Sequence, residues 1–413
     1  MNIIILGSGL LGISTAYELG KRGHDVTVLD RCDGVGRETS FSNGGQLSYS
    51  AAEPWPTPSV LTKIPKWLLD KDAPLVFHPR LDPAMWLWLI KFLRNCTPAR
   101  TRYNCVNLLR LNLYSKQKMD VIRAETAFDF NFTQKGILHV YGCEQDVENG
   151  KRQVDFQEKF GCTQRILTRE QCLELEPCLA YTGREIAGGM YAPLDELGDA
   201  YTYCVSLAKV AAERYNVKFL NNVDIKSLRV EGDRITAVQT SQGDVSADGY
   251  VMALGSYSTQ LLATVGIRLP VYPMKGYSLT FDADAYTPNS SIMDCNYKVV
   301  YTRLGDKLRI SGTAELAGYN QNVRKKRIAT LQRAAQSMMP QTDWSRPAHE
   351  WACLRPSTPD GLPRLGYTSY KNLFLNTGHG TLGWTQAAGS AYLVADLIER
   401  KPPEISLDGM ILG

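Results

Sequence analysis

Residues 3–12 read IIILGSGLLG, an apolar, β-branched run that leads directly into a Gly7-x-Gly9-x-x-Gly12 turn. Residues 13–22 then repeat apolar side chains at helical spacing, and residues 26–29 form a second β-branched run that ends at Asp30. This order predicts a strand, a glycine turn, a helix and a parallel strand. Such a unit opens a dinucleotide-binding domain.

Each glycine of the turn has a steric reason. Gly7 permits the tight turn, Gly9 lets a pyrophosphate approach the backbone, and Gly12 lets the helix pack against the strand. The start of the helix offers free N–H groups to phosphates, and Asp30 is placed to accept hydrogen bonds from ribose hydroxyls. A glycine turn in another kind of βαβ unit is the alternative. The expected cofactor contacts here are Gly7, Ser8, Gly9, Leu10, Leu11, Gly12, Asp30 and Arg31.

Two further segments favour FAD over NAD. Residues 39–46 (TSFSNGGQ) are dense in small hydroxyl and amide groups that suit a ribityl chain and flavin edge, although a plain polar loop has the same composition. Residues 376–384 (NTGHGTLGW) form a glycine-rich turn that opens a helix, whose dipole would face the electron-rich edge of a reduced flavin. The other expected cofactor contacts are Thr39, Ser40, Ser42, Asn43, Gly44, Gly45, Gln46, Val223, Ala253, Gly255, Gly378, His379, Gly380, Thr381 and Leu382.

The remaining pattern predicts an α/β protein in which a Rossmann-type FAD-binding domain is assembled from discontinuous segments. Strand-like alternation over residues 271–315 predicts a second, α+β substrate domain with a mostly antiparallel sheet, and a β-meander is predicted over 225–246. The expected division gives 1–50, 190–260 and 346–413 to the FAD-binding domain, and 51–189 and 261–345 to the substrate-binding domain.

Composition excludes several classes of protein. With 44% hydrophobic and 21% charged residues over 413 positions, the chain is neither disordered nor collagen-like. A net charge of +4 without a long basic run argues against a nucleic-acid partner. Ten scattered cysteines and five histidines show no metal-ligand spacing and favour a reducing cytoplasm. The N-terminal apolar run is too short for a signal peptide, and no stretch approaches the roughly 18 apolar residues that cross a bilayer.

Several segments make the chain resemble the D-amino-acid oxidase superfamily of FAD-dependent amine oxidoreductases, most closely its bacterial D-amino-acid dehydrogenases. The resemblance runs nearly end to end, and its family-specific segments are PVYPMKGYSLT, LRPSTPDGLP and LFLNTGHGTLGWT. It implies oxidative deamination of D-amino acids to 2-oxo acids and ammonia, by hydride transfer from the substrate Cα to flavin N5. It also implies a quinone as electron acceptor. The residue types alone do not distinguish D from L substrates.

The resemblance further implies a clamp for the substrate carboxylate. Arg355 matches the family's arginine, whose planar fork suits a carboxylate, and a structural ion pair is the alternative. Tyr297 and Tyr301 would add hydroxyl contacts if they are not packing residues, and Arg303 on the same strand is a rival clamp. Lys275 lies where the family brings a strand beside the flavin ring, although a solvated charge is slightly favoured there.

Two further residues each have two possible roles. His379 is a candidate general base, but its flanking glycines favour a backbone that lies against the flavin, and the family chemistry needs no base. Cys353 lies two residues before Arg355, where related sarcosine oxidases bond a cysteine to flavin. The bacterial dehydrogenases usually lack this thiol, so a buried apolar cysteine and non-covalent FAD are favoured.

Residues 83–94 form a short, very apolar segment with two tryptophans and basic residues at one end. Such a helix suits a membrane interface, although a buried helix of the substrate domain is the commoner interpretation. We therefore expect a cytoplasmic protein. If the apolar face of this segment contacts a membrane, we expect peripheral attachment to the inner face of the cell membrane.

Two other functions stay open. An oxidase or dehydrogenase of glycine, sarcosine or another secondary amine would share the fold and the arginine clamp. A flavin-carrying electron-transfer subunit would keep the cofactor turns and have a vestigial substrate site.

Overall fold

The computed structural model describes residues 1–62, 75–345 and 349–412. Its first sheet has six strands: β1 (Asn2–Leu6), β2 (Asp25–Leu29), β9 (Lys218–Leu220), β13 (Gly249–Met252), β19 (Arg364–Tyr367) and β20 (Leu373–Thr377). The strand order is β19-β20-β13-β1-β2-β9, and every neighbouring pair is parallel except β19 with β20. Residues 3–6 of β1 are almost fully buried, as expected for a central parallel strand covered on both faces.

The helices are α1 (Leu10–Lys21), α2 (Pro83–Asn95), α3 (Pro98–Thr126), α4 (Glu144–Glu158), α5 (Arg169–Leu175), α6 (Ala200–Tyr215), α7 (Ser258–Ala263), α8 (Lys325–Met338) and α9 (Gly383–Ile398). The helices α1, α3, α6 and α9 pack on one another, and their apolar side chains share the largest core with β1 and β2. This packing places the first turn of α1 and the first turn of α9 at the same edge of the sheet, next to the carboxyl ends of β1 and β20.

The second sheet has nine strands: β4 (Leu75–Phe77), β5 (Ile137–Tyr141), β6 (Arg165–Thr168), β7 (Gly188–Ala192), β14 (Tyr272–Asp282), β15 (Ser291–Asp294), β16 (Val299–Leu304), β17 (Lys307–Leu316) and β18 (His349–Ser357). Its order is β18-β14-β17-β16-β15-β5-β7-β6, with β4 beside β17. The β15–β5 and β17–β4 pairs are parallel and the other pairs are antiparallel. Helix α8 covers an apolar cluster on this sheet.

Two smaller sheets complete the described fold. The predicted meander is present as β10 (Ile225–Glu231), β11 (Arg234–Thr240) and β12 (Gly243–Val245), all antiparallel. The short strands β3 (Gln46–Leu47) and β8 (Glu196–Leu197) pair antiparallel and fasten the end of the 39–46 segment.

The predicted fold class is confirmed: a parallel, discontinuously assembled sheet is combined with a mostly antiparallel one. The exact domain boundaries stay a prediction. One observation bears on them, because α3 lies within residues 51–189 yet packs along α9 and contributes to the core of the first sheet. We therefore propose that residues 98–126 be grouped with the FAD-binding domain.

Helix α2 has one buried and one exposed apolar face. Asp82 caps its N-terminus by accepting hydrogen bonds from the backbone N–H groups of residues 84 and 85, and Met85, Trp88 and Phe92 pack against the second sheet. On the other side Trp86, Leu87, Ile90 and Leu93 are 45–52% exposed. Neither predicted alternative for residues 83–94 is complete, since the helix is part of the core and also presents apolar surface. Within the described ranges, no helix is long and apolar enough to span a membrane.

Candidate active site

The N-terminal glycine turn is held by close backbone contacts. Gly7 has φ +106°, and a Cβ atom there would lie 2.7 Å from the carbonyl oxygen of Ala253. A Cβ atom at Gly12 would lie 1.9 Å from the carbonyl oxygen of Gly7. Both positions therefore require glycine, and the first turn of α1 is brought against the end of β1 as the motif predicts.

Asp30 ends β2 and fastens this turn. Its carboxylate accepts hydrogen bonds from the backbone N–H and the hydroxyl of Ser8 at 2.7 and 2.8 Å, and from the backbone N–H of Cys32 at 2.9 Å. Asp30 and Arg31 both line the adjacent cavity. The carboxylate therefore holds Ser8 beside the cavity, and its contact with a ribose stays a prediction.

A single cavity of about 2290 Å³ runs along the edge of the first sheet and reaches the second. This volume exceeds the roughly 300–1,000 Å³ of an ordinary small-ligand pocket, so the cavity has room for a dinucleotide and a substrate together. Two of the predicted cofactor contacts, Ser8 and Gly12, do not line it and support the turn from behind. The other predicted contacts do line it: Gly7, Gly9, Leu10, Leu11, Asp30, Arg31, Thr39, Ser40, Ser42, Asn43, Gly44, Gly45, Gln46, Val223, Ala253, Gly255, Gly378, His379, Gly380, Thr381 and Leu382.

The 39–46 segment crosses from α1 to the second sheet. The Ser40 hydroxyl accepts a hydrogen bond from the backbone N–H of Leu10 at 3.1 Å, so the segment contacts the glycine turn. Farther along, Ser42 and Ser278 exchange a hydroxyl hydrogen bond at 2.9 Å. Gly45 has φ +68° and packs on the side chain of Leu304. The small polar residues of the segment therefore fix a loop that lies between both sheets along the cavity wall.

The 376–384 turn forms the opposite wall. Gly378 and Gly380 have φ of +82° and +54°, and the backbone N–H of Gly380 donates to the carbonyl of Pro356 at 2.9 Å. The His379 ring contacts the Ser390 hydroxyl through Nε2 at 2.9 Å. Among the residues that the structure describes, its Nδ1 and the side-chain oxygen Oδ1 of Asn376 have no hydrogen-bond partner. These buried polar atoms at the cavity wall are suited to a polar ligand that lies against α9.

The residues present fit FAD. A long cofactor requires two anion- or dipole-binding helix starts, and α1 and α9 provide them at the same sheet edge. The glycines allow close approach at both ends, and the polar 39–46 segment lies between them. Unpartnered buried atoms at Asn376 and His379 are available to the flavin end.

His379 has the environment of a neutral ring neighbour. Burial lowers the pKa of its imidazole to about 3. A catalytic base works best when its pKa lies near the working pH, so this imidazole is a poor base for removing an amine or Cα proton.

We therefore predict that a His379→Asn variant keeps the shape of the pH profile for anaerobic flavin bleaching by D-alanine from weakly acidic to alkaline pH. The His379 imidazole stays uncharged in this range because burial lowers its pKa to about 3, so its loss removes no titrating group. The rate would be followed at the oxidised flavin band, with His349→Asn, an exposed histidine outside the cavity wall, as the control. An inflection near the ordinary histidine pKa of about 6.5 that disappears only in His379→Asn would contradict this interpretation.

Arg355 projects from β18 into the cavity. Its Nη1 donates to the carbonyl oxygen of Thr313 at 3.0 Å, and within the described ranges no carboxylate pairs with it. A Cβ atom at Gly276 would lie 2.2 Å from the guanidinium Cζ, so the backbone of β14 is a wall against which the guanidinium rests. Burial lowers the pKa of Arg355, yet an arginine stays protonated in proteins. The site therefore holds an uncompensated cation, and the alternative of a structural ion pair has no support in the described contacts.

The other four predicted catalytic residues have different positions. Tyr297 lines the cavity at its rim, 53% exposed, with its ring 3.9 Å from the Arg184 guanidinium. Tyr301 is fully buried in the apolar cluster under α8, and Arg303 donates to the carbonyls of residues 284 and 305; neither lines the cavity. Lys275 is also absent from the wall and is fully buried, with its Nζ bonded to the carbonyl of Asn322.

These positions correct three expectations. Lys275 is neither a solvated charge nor a neighbour of the cavity, because its side chain leaves β14 on the side of Glu315 and the 320–322 loop. Tyr301 and Arg303 share the face of β16 that turns away from the 42–46 segment. That segment packs instead on the alternate residues Val300, Thr302 and Leu304.

Sequence reasoning missed cavity residues that lie outside any motif. Arg184, in the loop before β7, lines the cavity and pairs with Asp294, so its charge is compensated. Glu53, His139 and Thr313 also line it. Their sequence neighbourhoods have no special spacing or composition. They come from different parts of the chain: His139 lies on β5, Thr313 on β17, and the other two in loops.

Cys353 lies on the cavity wall in β18, opposite Gly276 of β14. Burial raises the pKa of its thiol, so the nucleophilic thiolate is disfavoured. We predict that acid precipitation of the purified protein releases its flavin into the supernatant. Yellow colour that stays with the pellet of the wild type, and leaves it in a Cys353→Ser variant, would instead establish a covalent bond.

Fold and cavity together define an FAD-binding oxidoreductase. The family of proteins described as "FAD dependent oxidoreductase" (DAO) matches residues 2–397. The chain belongs to this DAO family of FAD-dependent oxidoreductases.

Two relatives are similar over essentially their whole length. A D-amino acid dehydrogenase of Azorhizobium caulinodans is 43% identical over 415 residues, covering 100% of this chain and 99% of the relative. A D-amino acid dehydrogenase of Paramagnetospirillum magneticum is 45% identical, covering 99% and 98%. Among solved structures, glycine oxidase from Geobacillus kaustophilus superposes with a TM-score of 0.79 at 24% identity, covering 100% of this chain and 98% of that one. L-amino acid deaminase from Proteus vulgaris has a TM-score of 0.76 at 16% identity, covering 99% and 96%. These structural likenesses concern the fold alone.

Proposed function

We propose that this protein is an FAD-dependent D-amino-acid dehydrogenase that converts D-amino acids to 2-oxo acids and ammonia. The observation that carries this function is Arg355, a cation on the cavity wall for which residues 1–62, 75–345 and 349–412 offer no acidic partner. An arginine in this state is suited to a substrate carboxylate. The two relatives at 43% and 45% identity, both D-amino acid dehydrogenases, support the D series.

The chain's own residues supply binding and orientation. The Arg355 guanidinium holds the substrate carboxylate, and the Gly276 backbone and the Thr313 carbonyl hold the guanidinium. Tyr297 lies at the rim, where its hydroxyl is available to a bound amino acid. FAD held along this cavity would supply the hydride acceptor for the substrate Cα, and the imino acid would then hydrolyse in water. No side chain need act as base for an amine that arrives neutral.

The test is anaerobic mixing of the purified holoenzyme with matched D- and L-amino acids while the oxidised flavin band is followed. Bleaching by D-alanine or another D-acid, but not by its L-form, is the expected result. Production of the 2-oxo acid and ammonia in equal amounts should accompany it. No bleaching by any primary amino acid would overturn the proposal.

Two alternative functions would give distinct results in this anaerobic experiment and in its repeat in air. Bleaching by glycine or sarcosine, with hydrogen peroxide formed in air, would indicate a glycine or secondary-amine enzyme. The fold of glycine oxidase from Geobacillus kaustophilus keeps this alternative relevant. Reduction by a partner flavoprotein but by no amine would indicate an electron-transfer subunit.

The electron acceptor we propose is a quinone, reached by peripheral attachment to the inner face of the cell membrane. The support is the exposed apolar face of α2, formed by Trp86, Leu87, Ile90 and Leu93, with Lys91 and Arg94 beside it. Apolar side chains flanked by basic ones suit the interface of a membrane that contains anionic lipid. Reoxidation of the reduced enzyme by a soluble quinone that is much faster than by oxygen would support the acceptor.

We predict that a Leu87→Glu/Ile90→Glu variant co-sediments severalfold less with vesicles of anionic phospholipid than the wild type. Two carboxylates on the exposed face oppose both insertion and attraction to the lipid. Val205→Glu is the control. Val205 is likewise an exposed apolar residue on a helix, with an exposed fraction of 43%, but it lies on α6 and not on α2. Equal sedimentation of the wild type and the double variant would exclude α2 as the contact.

A further inference from the structure

Thr313 has an unusual backbone for its residue type. It lies on β17 with φ +57°, in the left-handed region that β-branched residues very rarely adopt. It is placed where the partner strand changes, because Gly312 pairs with Val299 of β16 and Ala314 pairs with Leu75 of β4. Backbone strain of this kind persists only where the surroundings enforce it, and it concentrates at functional sites.

The carbonyl of Thr313 holds Arg355. Its oxygen accepts the hydrogen bond from Arg355 Nη1 at 3.0 Å, and Arg355 makes no other hydrogen bond within the described parts of the chain. One donor of the guanidinium is thereby fixed, while its remaining donors stay available to a ligand.

The hydroxyl of Thr313 has no hydrogen-bond partner in the described part of the chain. Its Oγ1 is buried, the residue as a whole is 6% exposed, and it lines the cavity together with Arg355. A buried hydroxyl that is left unpaired costs free energy, so its presence beside an uncompensated cation calls for a ligand that accepts a hydrogen bond. A carboxylate has enough acceptor positions for both the arginine fork and one hydroxyl.

We propose that Thr313 is a second ligand of the substrate carboxylate. Its hydroxyl donates to one carboxylate oxygen while its carbonyl holds Arg355 in place for the charged pair. This inference rests on the proposed function, since it assigns a further contact in the same substrate site. No bond is made or broken at Thr313.

The test compares Thr313→Val with Thr313→Ser. Valine removes the hydroxyl but keeps the β-branched shape and the carbonyl, whereas serine keeps the hydroxyl. Thr358→Val is the matched control, because Thr358 is also buried with an unpartnered hydroxyl but does not line the cavity. Two readouts are needed: the concentration of D-alanine for half-maximal anaerobic bleaching, and binding of propionate, a carboxylate without an amine, by flavin difference spectra.

We expect Thr313→Val to weaken the binding of both D-alanine and propionate by about ten- to a hundredfold. This range corresponds to the loss of a hydrogen bond to a charged group. The limiting bleaching rate should change much less, and Thr313→Ser should restore most of the affinity. Thr358→Val should bind both ligands as the wild type does. If Thr313→Val does not fold, Thr313→Ala is measured in the same way with the same expectation.

Each outcome separates this inference from the proposed function. Unchanged affinities in Thr313→Val, or an equal loss in Thr358→Val, would overturn the inference even if D-alanine bleaches the wild type. Propionate binding that depends on Thr313, without bleaching by any D-acid, would support the carboxylate contact and overturn the D-amino-acid reaction. A wild type that binds neither ligand would overturn both.

Discussion

An Arg355→Gln variant is expected to lose about a thousandfold in kcat/KM for D-alanine, since breaking a buried charge pair costs about 3–5 kcal/mol. The flavin should stay bound, because the glycine turns and the 39–46 segment, which we propose hold it, make no hydrogen bond to the Arg355 side chain. The loss should appear first as weaker substrate binding. It should also lower the limiting bleaching rate, because a substrate without its anchor lies less often in the reactive orientation.

The physical reason is that the described residues offer this cation no acidic partner. The only described hydrogen bond of Arg355 goes to the neutral carbonyl of Thr313, so the charge gains its compensation from the ligand. Glutamine keeps an amide of similar polarity in the same place. The comparison therefore isolates the charge and the forked geometry.

Arg303→Gln is the matched control. This arginine was the rival clamp, but its side chain donates to the carbonyls of residues 284 and 305 and to the Thr287 hydroxyl, outside the cavity wall. Its loss should leave D-alanine kinetics nearly unchanged. Large losses in Arg303→Gln with near-normal kinetics in Arg355→Gln would reverse the assignment of the clamp.

The glycine turn and the two polar segments that line the cavity could be recognised from sequence because their signals are local. The spacing of Gly7, Gly9 and Gly12 reflects contacts within one turn and the strand beside it, and the structure shows those contacts. The 39–46 segment and the 376–384 turn were found by composition for the same reason. Each of these segments would look similar in any chain that must let a backbone approach a long cofactor.

The substrate half was predicted less well because β14 and β16 are buried on both faces. Alternation of apolar and polar residues normally shows which side chains face the core, but β14 is buried at eight consecutive residues and gives no such signal. An irregularity in the pairing of β14 with β17 between Lys275 and Tyr277 shifts the register further. The pattern therefore places in the site three residues whose side chains lie outside the cavity wall: Tyr301, Arg303 and Lys275. The position of Thr313 could not be predicted either, because it depends on where β4 replaces β16 as the neighbour of β17.

A Gly276→Ala variant is expected to lose about a hundredfold in kcat/KM for D-alanine, the size of effect that a misplacement of about 1 Å produces. The added Cβ would lie 2.2–2.3 Å from Cζ, Nη1 and Nη2 of Arg355. These atoms are the far end of a flexible side chain, so the guanidinium moves rather than the backbone. Tm and the flavin spectrum should consequently change little, and Gly249→Ala, where the nearest atoms lie 3.9 Å from the new Cβ, provides the control for adding a methyl group to a buried strand.

The double variant Gly276→Ala/Arg355→Gln gives the sharpest test, because the two residues act through one contact. If the alanine acts only by displacing the guanidinium, it should cost little once that group is absent, and the two losses should be far from additive. Additive losses would mean that Gly276 serves the substrate or the cofactor directly. Near-normal D-alanine kinetics in Gly276→Ala alone would show that Arg355 holds the carboxylate from a position other than the one described. Strong coupling, in contrast, would show that the backbone of β14 at Gly276 positions the Arg355 guanidinium. It would also explain why this strand has a glycine where it faces that group.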